Sequence, residues 1–148
     1  MLYFELPELP ISNAYNASLG LIEDICEEHA LENYFGNISS ATHEFIQAIK
    51  KTTKGEDVSI SIGFILENDT LYAHFEINGT IIALPTLFDE GKEMTPIKTI
   101  VLLTDEISFT QNKKGVSFAF HVKQEVQQRK IEQPIAKDQI INKEKVSK

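Results

Sequence analysis

The chain has 148 residues, of which 42% are hydrophobic, a formal net charge of −8 and a single cysteine. That size and apolar content suit one core and one domain; the longest apolar stretches, Ile62–Leu66 and Ile100–Leu103, are far short of the roughly 20 residues that cross a bilayer, and the lone Cys26 excludes an internal disulfide or a thiolate metal cluster. From Gln124 onward six basic residues face four acidic ones, leaving that tail at +2 and the body before it at −10, so the body repels phosphate backbones and nucleic acid is a poor partner.

Met1-Leu2-Tyr3-Phe4-Glu5 has neither a basic start nor a long apolar stretch, which sets the expectation of a cytoplasmic location. Leu2, Phe4 and Leu6 alternate with Tyr3 and Glu5, predicting a short strand stopped by Pro7 and Pro10. From about Ser12, Ala14, Ala17, Leu21, Ile22 and Ile25 recur at three and four residues, with Glu23, Asp24, Glu27 and Glu28 opposite, as in an amphipathic helix with an acidic face. Cys26 lies within it as an expected inert core thiol. A second helix is predicted from Ser39 or Ser40 as N-cap, burying Ala41, Phe45, Ala48 and Ile49 and ending at Lys54-Gly55.

Two hairpins follow, separated by a third helix. Val58, Ile60, Ile62, Phe64 and Leu66 alternate with small polar residues, turn through Glu67-Asn68-Asp69, and lead into Leu71, Ala73, Phe75 and Ile77, which alternate with Tyr72, His74 and Glu76. The third helix has Thr95 as N-cap and Pro96 at its first position, with Ile97, Ile100, Val101 and Leu103 behind. Ile107 and Phe109, a turn over Asn112–Gly115, and Val116, Phe118, Phe120 and Val122 opposed to Ser117 and His121 make the second hairpin. A sheet with one apolar face needs a cover, so the expected architecture is a two-layer α+β sandwich, a mainly antiparallel sheet with three helices on one face. The folded domain is expected over residues 1–123, and residues 124–148, poor in apolar residues and interrupted by Pro134, are expected to form a mobile tail or short helix.

The order strand, helix, helix, hairpin, lid-like loop, helix, hairpin resembles the anti-sigma-factor branch of the histidine-kinase-like (GHKL) ATPases, over Leu2 to Val122. Leu2–Pro7 before a long helix, Ala41–Ile49 at the family's N-box helix, Leu71–Gly79 leading to its first glycine box, and Leu103–Ile107 before the last hairpin carry the likeness. The resemblance implies a bacterial regulatory protein that binds a sigma factor or its antagonist, with a nucleotide site between the helices and the inward face of the sheet. In that family the helix carries a Glu and, four residues on, a magnesium-binding Asn; Glu44 matches the first and Ala48 replaces the second. The adenine-binding Asp falls at Ile77, two residues before Gly79, and the inward Thr of the last hairpin falls at Val116 after Gly115. The phosphate-cradling glycine turn corresponds to Met94-Thr95-Pro96-Ile97, which has no glycine. Apolar replacements at inward positions are what a filled pocket predicts, since triphosphate and magnesium would lack ligands there.

Three readings follow. The first is a non-catalytic regulatory protein of this fold that acts by binding another protein, with nucleotide binding lost and no cofactor or metal. The second is an ATP-binding anti-sigma factor or serine/threonine kinase with an atypical pocket, which binds Mg-ATP only with a substitute for the missing magnesium ligand and needs Glu44 as general base. The third is a small-molecule binder using the apolar interior between Ala48, Ile77 and Val116. Glu44 is alternatively a solvated helix carboxylate, and Asn78-Gly79 either lines a ligand or ends a strand. His29, His43, His74 and His121 show no metal-ligand spacing and read as surface imidazoles. Thr42-His43-Glu44 beside Ser39 and Ser40 is a weak nucleophile-and-base pattern, because helix neighbours diverge. The oligomeric state stays open, a homodimer included.

Overall fold

The computed structural model describes residues 1–53, 57–79, 84–88 and 95–123. It is a two-layer α+β sandwich, a five-stranded antiparallel sheet with its helices on one side. In chain order the elements are β1 (Leu2–Pro10), α1 (Ala14–Glu28), α2 (Phe35–Thr53), β2 (Ser59–Glu67), β3 (Thr70–Asn78), α3 (Leu84–Leu87), α4 (Thr95–Leu103), β4 (Glu106–Phe109) and β5 (Gly115–His121). The strands lie in the order β1-β2-β3-β5-β4, so the last hairpin joins the first through β5. No helix among the described residues is long and apolar enough to cross a membrane.

Pro7 does not stop the first strand, and Pro10 ends it. β1 runs through Pro7 to Pro10, because an edge strand tolerates residues without an N–H. Its register shifts between Leu6, which faces Ile62, and Leu9, which faces Ile60, so three steps in β1 oppose two in β2. This bulge returns Leu9 to the side of Leu6, and both are half-buried while Pro7 and Glu8 are exposed. The Ser59 hydroxyl donates to the Glu8 carboxylate across the bulge.

The second helix also starts earlier than the serines predicted. Phe35 opens α2 directly after a 3-10 turn over Glu32–Tyr34, and Ser39 lies within the helix. Ile38, fully buried, extends the apolar stripe of Ala41, Phe45 and Ala48 back by one turn, and that burial overrides the capping preference of the serines. The hydroxyls turn back on the helix instead: Ser39 Oγ donates to the Gly36 carbonyl at 3.4 Å and Thr42 Oγ1 to the Ile38 carbonyl at 2.8 Å. α2 ends at Thr53 with Lys50 and Lys51 in its last turn, suited to the helix dipole; the predicted stop at Lys54-Gly55 lies outside the described residues. α3 was not anticipated, since four residues are too short to show a period; its Leu84 and Leu87 are buried.

The hairpins follow the alternation. In β2 and β3 the inward Ile60, Ile62, Phe64, Leu66, Leu71, Ala73, Phe75 and Ile77 are buried, and Asn68 turns the chain at φ 56°, a conformation asparagine tolerates. β5 buries Val116, Phe118 and Phe120, and Val122 just beyond it, with the Phe118 ring against Phe45 of α2. The predicted tail, residues 124–148, lies outside the described residues.

Candidate functional site

The positions singled out between helices and sheet come together, and what they form is core. Ala48 and Val116 are fully closed to water and Ile77 nearly so. Around them the rings of Phe45, Phe75 and Phe118 form a triangle, with centroid separations of 5.0, 5.5 and 5.4 Å. Such tilted and edge-on contacts add about 0.5–1.5 kcal/mol per pair beyond the area they bury. The only buried polar side chains among the described residues are Ser18, Ser39, Thr42 and Thr53, each donating its hydroxyl to a carbonyl of its own helix. Among the described residues no charged group is buried in this interior.

Glu44 does not join it. Half-buried, its carboxylate lies 4.0 Å from His43 Nδ1, and the His43 ring stands edge-on to Tyr15 of α1 at 4.7 Å. Thr42 and Ser39 have turned their hydroxyls to helix carbonyls, so Thr42-His43-Glu44 forms no nucleophile–base pair. Asn78 is exposed, its amide 3.5 Å from Ser61 Oγ. Gly79 takes φ 129°, a conformation side chains avoid, and a Cβ there would stand 3.2 Å from the Asp57 carbonyl. The close approach of the end of β3 to the backbone at Asp57 and Val58 accounts for this glycine. Gly115 is explained in the same way, since a Cβ would sit 2.7 Å from Thr110 Cγ2 inside the β4–β5 turn.

Cys26 is buried, and desolvation, with the Glu32 charge adding, pushes its thiol up to about 11. A thiol so placed stays protonated and unreactive near neutrality. Among the described residues no group of three His, Cys, Asp or Glu side chains is arranged to hold a metal.

No protein-family model and no curated protein matches the chain at a significant level. Its candidate sites therefore stand on geometry, and the geometry holds one constellation that strand-by-strand reading missed. On the face of the sheet away from the helices, His74 Nδ1 lies 2.7 Å from Ser117 Oγ and His74 Nε2 lies 3.3 Å from Glu76 Oε2. The alternation had put all three residues outward. It could not reveal that β3 and β5 are neighbours with His74 directly opposite Ser117.

Chemically, Glu76 accepting from Nε2–H leaves Nδ1 to accept the Ser117 hydroxyl proton, the polarity of a general base beside a nucleophile. The sheet withholds the remaining part. Ser117 is paired on one side with His74 and on the other with Ser108, so the surrounding backbone N–H groups belong to the ladder and cannot stabilise an oxyanion. The network holds an imidazole in a fixed place on an open surface. Elsewhere, a shallow cleft of about 410 Å³ is lined by Tyr34, Asp69, Thr70, His121, Val122 and Lys123. There the Asp105 carboxylate accepts the His121 backbone N–H at 2.7 Å, and Tyr34 Oη accepts the Lys123 N–H at 3.0 Å.

Proposed function

We propose that this protein is a non-catalytic regulatory protein of anti-sigma-factor-like type, which acts by binding another protein and has lost its nucleotide pocket. The observation that carries the reading is the packed interior at Ala48, Ile77 and Val116, where the resemblance would place adenine, phosphates and magnesium. Among the described residues a triphosphate there would meet three phenylalanine rings and no cation or carboxylate. Removing such charge from water without partners is prohibitive. The Ser117–His74–Glu76 network does not by itself make an enzyme, because the ladder occupies the backbone N–H groups around Ser117.

The test is thermal unfolding with and without excess Mg-ATP. A ligand at 100 times its Kd adds about 2.7 kcal/mol, which raises the melting temperature of a chain this size by several degrees at roughly 2–8 °C per kcal/mol. No shift is expected. A shift that Glu44→Gln removes would instead establish the ATP-binding kinase or anti-sigma reading. The binding half of the proposal is tested by affinity capture from host cells, with a sigma factor or a sigma-factor antagonist as the expected partner; repeated capture with no specific partner would count against it.

A further inference from the structure

The helices cover one face of the sheet, and among the described residues nothing covers the other. The register sets out what that open face presents. One row runs Tyr3, Ile65, Tyr72, Ala119, Glu106 across all five strands, and the next runs Glu5, Gly63, His74, Ser117, Ser108. Ser61 and Glu76 begin a third row.

The charge on it has a single sign. None of the five strands contains a lysine or an arginine, while Glu5, Glu76 and Glu106 all stand on the open face. The described lysines sit elsewhere, Lys50, Lys51 and Lys98 on helices, Lys113 and Lys114 in the turn at one end of the sheet, and Lys123 after β5. Among the described residues no lysine or arginine forms an ion pair with the three glutamates; Glu76 pairs only with His74.

The face is also shaped and rigid. Gly63 leaves a gap over which Tyr3 folds, its hydroxyl 3.2 Å from where a Cβ would be, and Tyr3 stays more than half exposed. Partial desolvation, with the Glu5 charge and a hydrogen bond to Glu5, pushes the Tyr3 phenol above its ordinary value. Tyr3 and Tyr72 therefore flank Ile65 as an aromatic ledge beside carboxylates, on backbone already held by the ladder. Aromatic faces attract arginine and lysine heads while their stems cover apolar surface.

We propose that this open face is the docking surface for a basic, arginine- and lysine-bearing segment of a partner protein. The inference rests on the protein-binding reading above and names the partner's chemistry. A second copy of the chain is a poor occupant, because stacking two such faces sets carboxylates against carboxylates. The α1 surface, with Glu23, Asp24, Glu27 and Glu28, is as acidic but has no tyrosine ledge, which makes it the internal control.

The probe is a fluorescein-labelled Arg/Lys-rich peptide, titrated into the full chain at physiological ionic strength and followed by anisotropy. Amide shifts in ¹H–¹⁵N spectra locate the contact. Saturable binding is expected, with shifts centred on Tyr3, Glu5, Tyr72 and His74, and with Glu5→Gln/Glu76→Gln weakening binding about three- to tenfold. Tyr72→Ala should weaken it as well, and Glu23→Gln/Glu27→Gln should leave it unchanged. Loss that is equal for either pair of glutamates, or shifts on α1, would mean unspecific charge attraction and overturn the proposal. Binding that strengthens when Lys137, Lys143, Lys145 and Lys148 are changed to Gln would show that the chain's own tail is the occupant, and would overturn it too. A captured partner whose contacts map away from the sheet would sink this inference but leave the protein-binding function standing, whereas an Mg-ATP shift would remove that function whatever the peptide does.

Discussion

Ser117 and Phe118 are neighbours in β5, yet one shares a hydrogen bond with an imidazole at the surface while the other is closed between three rings. The contrast extends over the whole sheet. Inward, Ile60, Ile62, Phe64, Ala73, Phe75, Val116 and Phe118 pack with the helices and hold no polar atom; outward, serine, histidine, tyrosine and glutamate are held at fixed spacing by the same backbone. The difference teaches where adaptation is free. Among the described residues the interior gives stability and offers a charged ligand no polar side chain that is not already bonded to its own helix, while the outward face can carry recognition because almost nothing in the core depends on it.

The strongest way to break this comparison is to cut the interior. Phe118→Ala removes a ring that contacts Phe45, Phe75 and Phe88 and should lower unfolding free energy by about 3–5 kcal/mol in a denaturant titration. A loss well below that would mean that the interior is loosely packed and has room for a ligand. Next in size are two changes where the last hairpin meets the core. Val116→Thr supplies the hydroxyl that the resemblance expects, but buries it against Phe75, and should cost about 1–3 kcal/mol without creating an Mg-ATP shift. Gly115→Ala forces a Cβ onto Thr110, whose Oγ1 accepts the Gly115 N–H at 3.0 Å, and should cost about 1–3 kcal/mol.

Local patterning carried most of the architecture. The alternation from Val58 to Ile77 and from Val116 to Val122 assigned both hairpins and the inward face, and the three- and four-residue spacing of Ala14 to Ile25 assigned the first helix. Misreadings arose where a distant neighbour decides. Pro7 ends a strand by its own chemistry, but pairing with β2 on one side only and a bulge at Leu6/Leu9 carry the strand past it. Ser39 and Ser40 look like a helix start until Ile38 is seen to be buried beneath the sheet's cover. Strand parity placed Ile77 and Val116 inside, and helical spacing placed Ala48 there, whereas the pairing of Ser117 with His74, 43 residues apart, depends on strand order, to which no local period is sensitive.

Cys26 offers a smaller, pH-dependent contrast between interior and surface. Its folded-state pKa lies above the ordinary thiol value, so the folded chain holds this proton more tightly than the unfolded one. The resulting stability is fully present below pH 9 and is lost as pH rises from there through about 11. Thermal melts across that range should therefore decline more steeply for the natural chain than for Cys26→Ala. Iodoacetamide should also label the thiol at pH 8 only as fast as the chain opens. Rapid labelling of folded protein would place Cys26 at a surface instead.

The smallest effect tests the outward face alone. Ser117→Ala deletes one hydrogen bond to a half-buried imidazole whose other nitrogen still meets Glu76, and water can replace the hydroxyl at the surface. Unfolding free energy should fall by no more than about 1 kcal/mol, against several for Phe118→Ala one residue away. The His74 side-chain resonances should nonetheless move, because the hydroxyl partner of Nδ1 is gone. A loss as large as that of a core residue would show that the network braces the fold, and its fixed geometry would then need no binding partner to account for it. A small loss with a displaced imidazole would leave His74 as a group whose position matters to whatever meets the open sheet.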